Sequence, residues 1–235
     1  MKISPVSNYT HKGFPNQRRN RSNINSENST VNFGNYNYFY TPNKIQGINN
    51  KLLANPFKLV NKAITFATKA HNGQFRKGTN IPYIYHPLEA LSIVARITPD
   101  PELHAAAVLH DTIEDTNTTY DDINKKFGRR IADIINSESE DKSKTWEERK
   151  SDTLEKLKNE STDVKIVALG DKLSNMRSIA RDYLEIGDKL WERFNVKDKN
   201  KQGWYYKGIV VALDELTQTT PYQELLRLTT SIFNN

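Results

Sequence analysis

Between residues 57 and 233 the apolar positions recur every three or four residues, and this spacing decides the fold class. In FKLVNKAITFATKAH (57–71), Leu59, Ala63, Phe66, Ala67 and Ala70 share one stripe, which predicts an amphipathic helix. GQFRKGTNIPYIYHP (73–87) is broken by Gly73, Gly78, Pro82 and Pro87 and is expected to be a loop. LEALSIVARI (88–97) predicts the next helix, stopped by Pro99. PELHAAAVLHD (101–111) opens on Pro101 at a first-turn position, where the missing N–H costs little. Its AAAVL centre is apolar all round, so this helix is expected to be buried. Thr119 is expected to cap a short helix over 118–128 that Gly128 stops. Further helices are predicted at about 129–138, 145–159, 162–183, 198–216 and 221–233. Val, Ile and aromatic residues nowhere alternate over a useful length, and no β-hairpin signal is found. The expectation is an all-α body of about eight helices without internal repeats.

Residues 1–50 lack this periodicity and read as a disordered or loosely held extension, with the body expected over 51–235. The aromatic stretch NYNYFYTP (35–42) is the one part of the extension suited to docking on the body or a partner. The extension holds 12 Asn, one acid (Glu27) and six Lys or Arg. It therefore carries +5 of the formal +6, and the body is close to neutral. The basic balance belongs to the extension and gives no reason to expect a nucleic-acid partner for the body. There are no cysteines, which excludes a disulfide framework and thiolate metal sites and fits a cytoplasmic protein. No run reaches the ~18 apolar residues of a membrane span. The N-terminus has no apolar core of a secretory signal, so a soluble protein without a membrane partner is expected.

Polar groups interrupt the apolar pattern in two helices. VLHDTIEDT (108–116) ends an apolar run in His110 and Asp111, with Glu114 and Asp115 just beyond. IVALGDKLSNMR (166–177) carries Asp171 inside another apolar run. A buried carboxylate is costly unless it is paired or bound to a metal. His86, before Pro87 at the loop-to-helix junction, adds a second imidazole. Two imidazoles and two carboxylates suit a divalent transition metal such as Mn²⁺, Fe²⁺ or Zn²⁺. The alternative is a set of hydrogen-bonded pairs without metal. For Glu114 and Asp115 the alternative is an acidic helix end entering a Thr-rich turn. Glu114 stands four residues from His110, which on a continuous helix puts both on one face.

Four blocks in order, GQFRK, PYIYHP, LHDTIEDT and DKLSNMR, resemble the hydrolase domain of the RelA/SpoT family. They are most similar to its single-domain small alarmone hydrolases, which include the metazoan SpoT homologue, among the HD-domain phosphohydrolases. The resemblance runs from about Lys62 to Arg181. It implies the helical HD fold and a metal, usually Mn²⁺, held by His86, His110, Asp111 and Asp171. It implies a catalytic acidic pair, Glu114 and Asp115, and removal of the 3′-pyrophosphate of ppGpp or pppGpp. Arg76 and Lys77 match the pair that lines the nucleotide site, and Asn175 matches an Asn that faces the nucleotide. Their alternatives are a solvated basic loop and an exposed helical Asn. His71 matches a histidine of the first block that is not a ligand and is read as structural, and His104 is given no role. In SESEDKSKTWEERK (137–150), Lys142, Lys144 and Arg149 are candidates for phosphate contacts, or else parts of a solvated charged turn.

Gly170 stands where the family usually has Ala and Ser174 where it often has His, and neither is expected to touch the ligand set. Residues 189–216 match only loosely, which leaves base specificity open, and no synthetase domain is expected. Two rival readings remain. One is an HD phosphohydrolase acting on another nucleotide, such as a nucleotidase, a nucleotide triphosphohydrolase or an NADPH phosphatase. The other is a non-catalytic nucleotide-binding sensor.

Overall fold

The computed structural model describes residues 56–138 and 140–234. The expectations for residues 1–50, including the aromatic stretch, lie outside them. Among the described residues the body is helical, as the periodicity requires. The helices are α1 (Pro56–Ala70), α2 (Tyr85–Val94), α3 (Pro101–Leu109), α4 (Thr112–Asp115), α5 (Tyr120–Phe127), α6 (Arg129–Ser137), α7 (Trp146–Asn159), α8 (Thr162–Ile186), α9 (Lys199–Ala212) and α10 (Thr220–Phe233). Short 3₁₀ turns follow α8 at Gly187–Arg193 and α9 at Asp214–Leu216.

Caps fix several helix starts. Asp100 accepts from the Glu102 N–H ahead of α3, and Thr119 and Thr145 form reciprocal capping boxes with Asp122 and Glu148. Gly128, at φ +98°, lies between α5 and α6 in a conformation that a side chain disfavours.

α8 is the central element, with α2, α3, α6 and α10 packed against it. Ala105, Ala106, Ala107, Val108 and Leu109 of α3 are wholly buried. So are Val167, Leu169, Leu173 and Met176 of α8. Burial of each Leu or Val of this kind stabilises the fold by about 1.5–3 kcal/mol. α2 approaches α8 closely because residue 170 is glycine. A Cβ there would lie 2.8 Å from Val94 Cγ2 and 3.1 Å from the Ala90 carbonyl oxygen. This contact sets His86, on α2, beside Asp171, on α8.

Two of the boundaries that differ from expectation bear on the site. α2 starts at Tyr85 rather than 88, because Pro87 falls in the first turn, where no N–H is needed. His86 is thus inside a helix. α3 ends at Leu109, and α4 is a separate single turn. Glu114 therefore does not share a continuous helix face with His110, and the chain bends between them at Asp111.

Candidate active site

The segment before α2 folds back on itself. The Arg76 N–H donates to the Ile81 carbonyl (2.8 Å), and the Tyr83 N–H donates to the Gln74 carbonyl (2.9 Å). Phe75 and Pro82 form an isolated antiparallel bridge. This tongue carries Tyr83 to the C-terminal end of α3 and Arg76 to the middle of α8.

At that junction His86 Nε2 lies 3.1 Å from His110 Nε2 and 3.1 Å from Asp171 Oδ1. Asp111 Oδ2 lies 3.3 Å from His86 Nε2 and 3.0 Å from His110 Nε2. Asp171 Oδ1 lies 3.6 Å from His110 Nε2. His86, His110 and Asp171 offer ligand atoms within 4.8 Å of one another.

The outer hydrogen bonds fix which way the imidazoles face. His110 Nδ1–H donates to the Ala107 carbonyl (2.8 Å). Ser174 Oγ spends its hydrogen on Glu89 Oε2 (2.9 Å), so it accepts from His86 Nδ1–H (2.8 Å). In the neutral rings both Nε2 atoms are therefore bare lone pairs, and with the two carboxylate oxygens they form a cluster of acceptors without a donor of its own. Such a set favours a positive charge at its centre, a proton or a cation, and the donor chemistry suits a divalent transition metal.

Electrostatics agree. Burial alone would push the Asp111 carboxyl up, but His110 and His86 outweigh it and hold it well below the usual carboxylate range. Asp171 is opposed by burial in the same way and held well below that range by Lys172, His110 and His86. Burial opposes protonation of His110, yet Asp111 and Asp171 raise its imidazole well above the ordinary value. Without a metal these carboxylates favour the protonated His110 imidazole.

The structure places the remaining predicted residues in three groups. Glu114 lines a cavity of about 380 Å³ together with His86, His110, Asp111, Asp171 and Arg149. Asp115 sits beside it, with its backbone carbonyl held by Gln74 Nε2 (2.8 Å). His71 orients that glutamine through Nδ1 (2.7 Å), the structural part expected of it. Burial and then Asp115 raise the Glu114 carboxyl; burial and then Asp111 raise Asp115. Lys142 does not line the cavity. Its Nζ donates to the Glu114 carbonyl (3.0 Å) and lies 3.7 Å from Glu114 Oε1. Lys144 is taken up by Asp152 (2.6 Å). Arg76 and Lys77 line a second, smaller cavity, which meets the first at Tyr83 and Asn175. Asn175 is no exposed helical residue. Its Nδ2 donates to Asp171 Oδ1 (2.6 Å), and its Oδ1 accepts from Arg76 (2.8 Å). His104 bonds the Thr98 carbonyl (2.8 Å), away from the site.

The expectation that Ser174 does not touch the ligand set is wrong. Its hydroxyl fixes the His86 tautomer, and its place three residues after Asp171 was the available signal. Gly170 acts through helix spacing, as above. Sequence reasoning also missed Tyr83, whose hydroxyl donates to Asp111 Oδ2 (2.7 Å). It missed Lys172, which contacts Asp171 Oδ2. It missed Glu138, which lines the same cavity with Oε1 buried and unpartnered and with burial pushing its carboxyl up to about 7.

The sequence pattern of the HD domain family matches residues 63–193. The chain belongs to the HD-domain family. HD-domain hydrolases are metal-dependent, and the described residues include a group suited to a metal. The chain is 39% identical over 127 residues to the guanosine-3′,5′-bis(diphosphate) 3′-pyrophosphohydrolase MESH1 of Xenopus tropicalis, covering 52% of this chain and 70% of that one. The crystal structure of lmo0812 from Listeria monocytogenes EGD-e superposes with a TM-score of 0.60 at 32% identity, covering 64% of this chain and 99% of that one. A structure of a metazoan orthologue of SpoT that hydrolyses ppGpp superposes with a TM-score of 0.61 at 23% identity. It covers 74% of this chain and 94% of that one, and shares the fold. Among the described residues no helix is long and apolar enough to cross a membrane.

Proposed function

We propose that the chain is a guanosine-3′,5′-bis(diphosphate) 3′-pyrophosphohydrolase, which hydrolyses ppGpp or pppGpp to GDP or GTP and pyrophosphate. The observation that carries this reading is the convergence of two imidazole nitrogens and two carboxylates, all acceptors, beside the Glu114–Asp115 pair at a cavity. The relatives that bear this activity's name add to it. A cytoplasmic setting and a free nucleotide as the only partner belong to the same reading.

His86, His110, Asp111 and Asp171 are assigned as ligands of one divalent ion, Mn²⁺ in this reading. When bound, the ion supplies positive charge to a phosphoryl oxygen and makes water a better acid. Glu114 orients the attacking water and takes its proton, a task suited to a carboxyl raised by burial and by a like-charged neighbour. Asp115, within reach of the Tyr83 hydroxyl (3.4 Å), shares that task and keeps the water on the side of Asp111. The water oxygen joins the phosphorus, the bond from phosphorus to the ribose 3′-oxygen breaks, and that oxygen leaves with a proton. Arg149, which lines the cavity, offers charge to the pyrophosphate, whereas Lys142 is engaged by Glu114 outside it. Arg76 lays its guanidinium beside the purine, while Lys77 and Asn175 line the same side.

Glu114→Gln tests the assignment. Pyrophosphate release from ppGpp should fall by about 10²–10⁴-fold while Mn²⁺ affinity stays unchanged, because the residue moves a proton and holds no metal. Release of orthophosphate from NADPH or a nucleoside monophosphate, with ppGpp left intact, would transfer the assignment to the rival phosphohydrolase reading.

A further inference from the structure

The smaller cavity, of about 170 Å³, opens off the larger one across Tyr83 and Asn175. A nucleotide with phosphates at the acceptor cluster has its base directed there. One wall is the tongue, where Arg76 lies 5.8 Å from the Tyr83 ring centroid and donates to Asn175. Leu190, Phe194 and Tyr206 supply an apolar part of the lining. The lining also holds two charged side chains that none of the four sequence blocks contains, Asp182 of α8 and Arg193 of the following 3₁₀ turn.

Arg193 Nη1 donates to Asp182 Oδ2 (2.8 Å). Asp182 Oδ1 has Arg181 Nε at 3.9 Å, beyond hydrogen-bond distance, and Arg181 turns its Nη2 to Ser178 (3.1 Å). The carboxylate is oriented, 18% exposed, and has one oxygen open to an occupant. Arg193 is itself held from the far side. Gly78, at φ +70° on the tip of the tongue, leaves room for its stem, and a Cβ there would lie 2.7 Å from Arg193 Cδ. The tongue that carries Arg76 thus also fixes the arginine that aims Asp182.

Resting on the reading of the chain as a ppGpp hydrolase, the geometry points to Asp182 as the residue that selects guanine. Its carboxylate accepts from the ring N1–H and the exocyclic N2 amine of that base. Guanine presents two adjacent donors on this edge. Adenine presents an N1 lone pair and a C2–H, and a partly buried carboxylate facing them is left unpaired and repelled. Hypoxanthine keeps N1–H and lacks the amine. An amide at 182 presents one donor and one acceptor, which fits xanthine, whose N1–H stands beside a carbonyl oxygen.

The test is steady-state pyrophosphate release from the 3′,5′-bis(diphosphates) of guanosine, inosine and xanthosine by the wild type, Asp182→Asn and Asp182→Ala. Melting temperatures serve as the folding control. Wild type should prefer guanosine over inosine in kcat/KM by roughly tenfold or more. Asp182→Ala should lose that preference, chiefly through KM. Asp182→Asn should favour xanthosine over guanosine, a reversal that a merely structural aspartate cannot produce. Equal kcat/KM for guanosine and inosine in wild type, or an unchanged order in Asp182→Asn, overturns the inference. Should no substrate turn over in wild type while Mn²⁺ binds, the underlying hydrolase reading falls and takes the inference with it. That outcome is distinct, because it leaves no preference to compare. If Asp182→Ala fails to fold, the isosteric Asp182→Asn carries the test alone.

Discussion

Replacing Ser174 by Ala removes one oxygen atom and separates metal binding from folding. His86 is 3% exposed and Ser174 1%, so water does not reach their contact. In the metal-free variant His86 can carry its proton on Nε2 and donate to Asp171 Oδ1, 3.1 Å away. Glu89 loses the hydroxyl but keeps Arg177 at 3.2 Å. The metal-free protein therefore loses little stability. A cation at the cluster needs the Nε2 lone pair, which returns the proton to Nδ1, where it now faces a methyl group in the core. A buried donor without a partner costs about 1–3 kcal/mol. Cation affinity should then fall by roughly 10- to 100-fold, the size usual for groups that orient a metal-binding histidine. The assay titrates Mn²⁺ into metal-stripped wild type and variant against a chelator of known affinity, with melting curves recorded with and without the ion. Metal-free melting temperatures should agree within about 4 °C, which corresponds to about 1 kcal/mol for a body of this size. Equal Mn²⁺ affinities would refute the claim that His86 binds through Nε2 in a tautomer set by Ser174.

Four further outcomes follow from the structure. His110 must lose its raised-pKa proton before Nε2 can bind an ion, so Mn²⁺ binding should release a proton and tighten by about tenfold per pH unit below that pKa; calorimetry in buffers of different ionisation enthalpy reads this, and zero proton release would contradict it. In the metal-free protein the same His110–Asp111 pair stabilises fully below the ordinary histidine value of 6.5 and is lost as pH rises through the raised His110 pKa; from Asp111 it is present above 3.8 and lost as pH falls through the lowered one. Gly170→Ala should lower the melting temperature by several degrees through a steric cost of about 1–3 kcal/mol, and should weaken Mn²⁺ binding as α2 moves off α8; an unchanged melting curve would show that the helices yield freely. Arg130→Met leaves the buried Glu102, which Arg130 holds at 2.6 Å, without its partner, and denaturant unfolding should show a loss of about 3 kcal/mol, largely restored by adding Glu102→Gln.

Much of this protein can be read from its pattern. The 3–4 spacing of apolar residues marks the helices because each must bury one stripe, and the two helices with polar interruptions, at His110–Asp111 and at Asp171, do meet at the site. Their conjunction was legible because buried carboxylates need a reason. What pattern could not show is how the chain turns between motifs. The break after Leu109 depends on packing and carries no glycine or proline. The start of α2 at Tyr85 was hidden by reading Pro87 as a boundary. Ser174 looked like a neutral departure because its role is an outer hydrogen bond to His86, 88 residues earlier in the chain. Asp182 and Arg193 lay where the family resemblance thins, and only the fold of the tongue brings Gly78 against them.

The measurement that tests the central claim most directly is pyrophosphate release from ppGpp by metal-stripped protein, with and without added Mn²⁺, beside Asp111→Ala. The account predicts release that requires Mn²⁺ and is abolished in the variant, whose fold is retained because Asp111 is a ligand at the end of α3 and no part of the apolar core. Folded, Mn²⁺-loaded wild type that leaves ppGpp intact would contradict it.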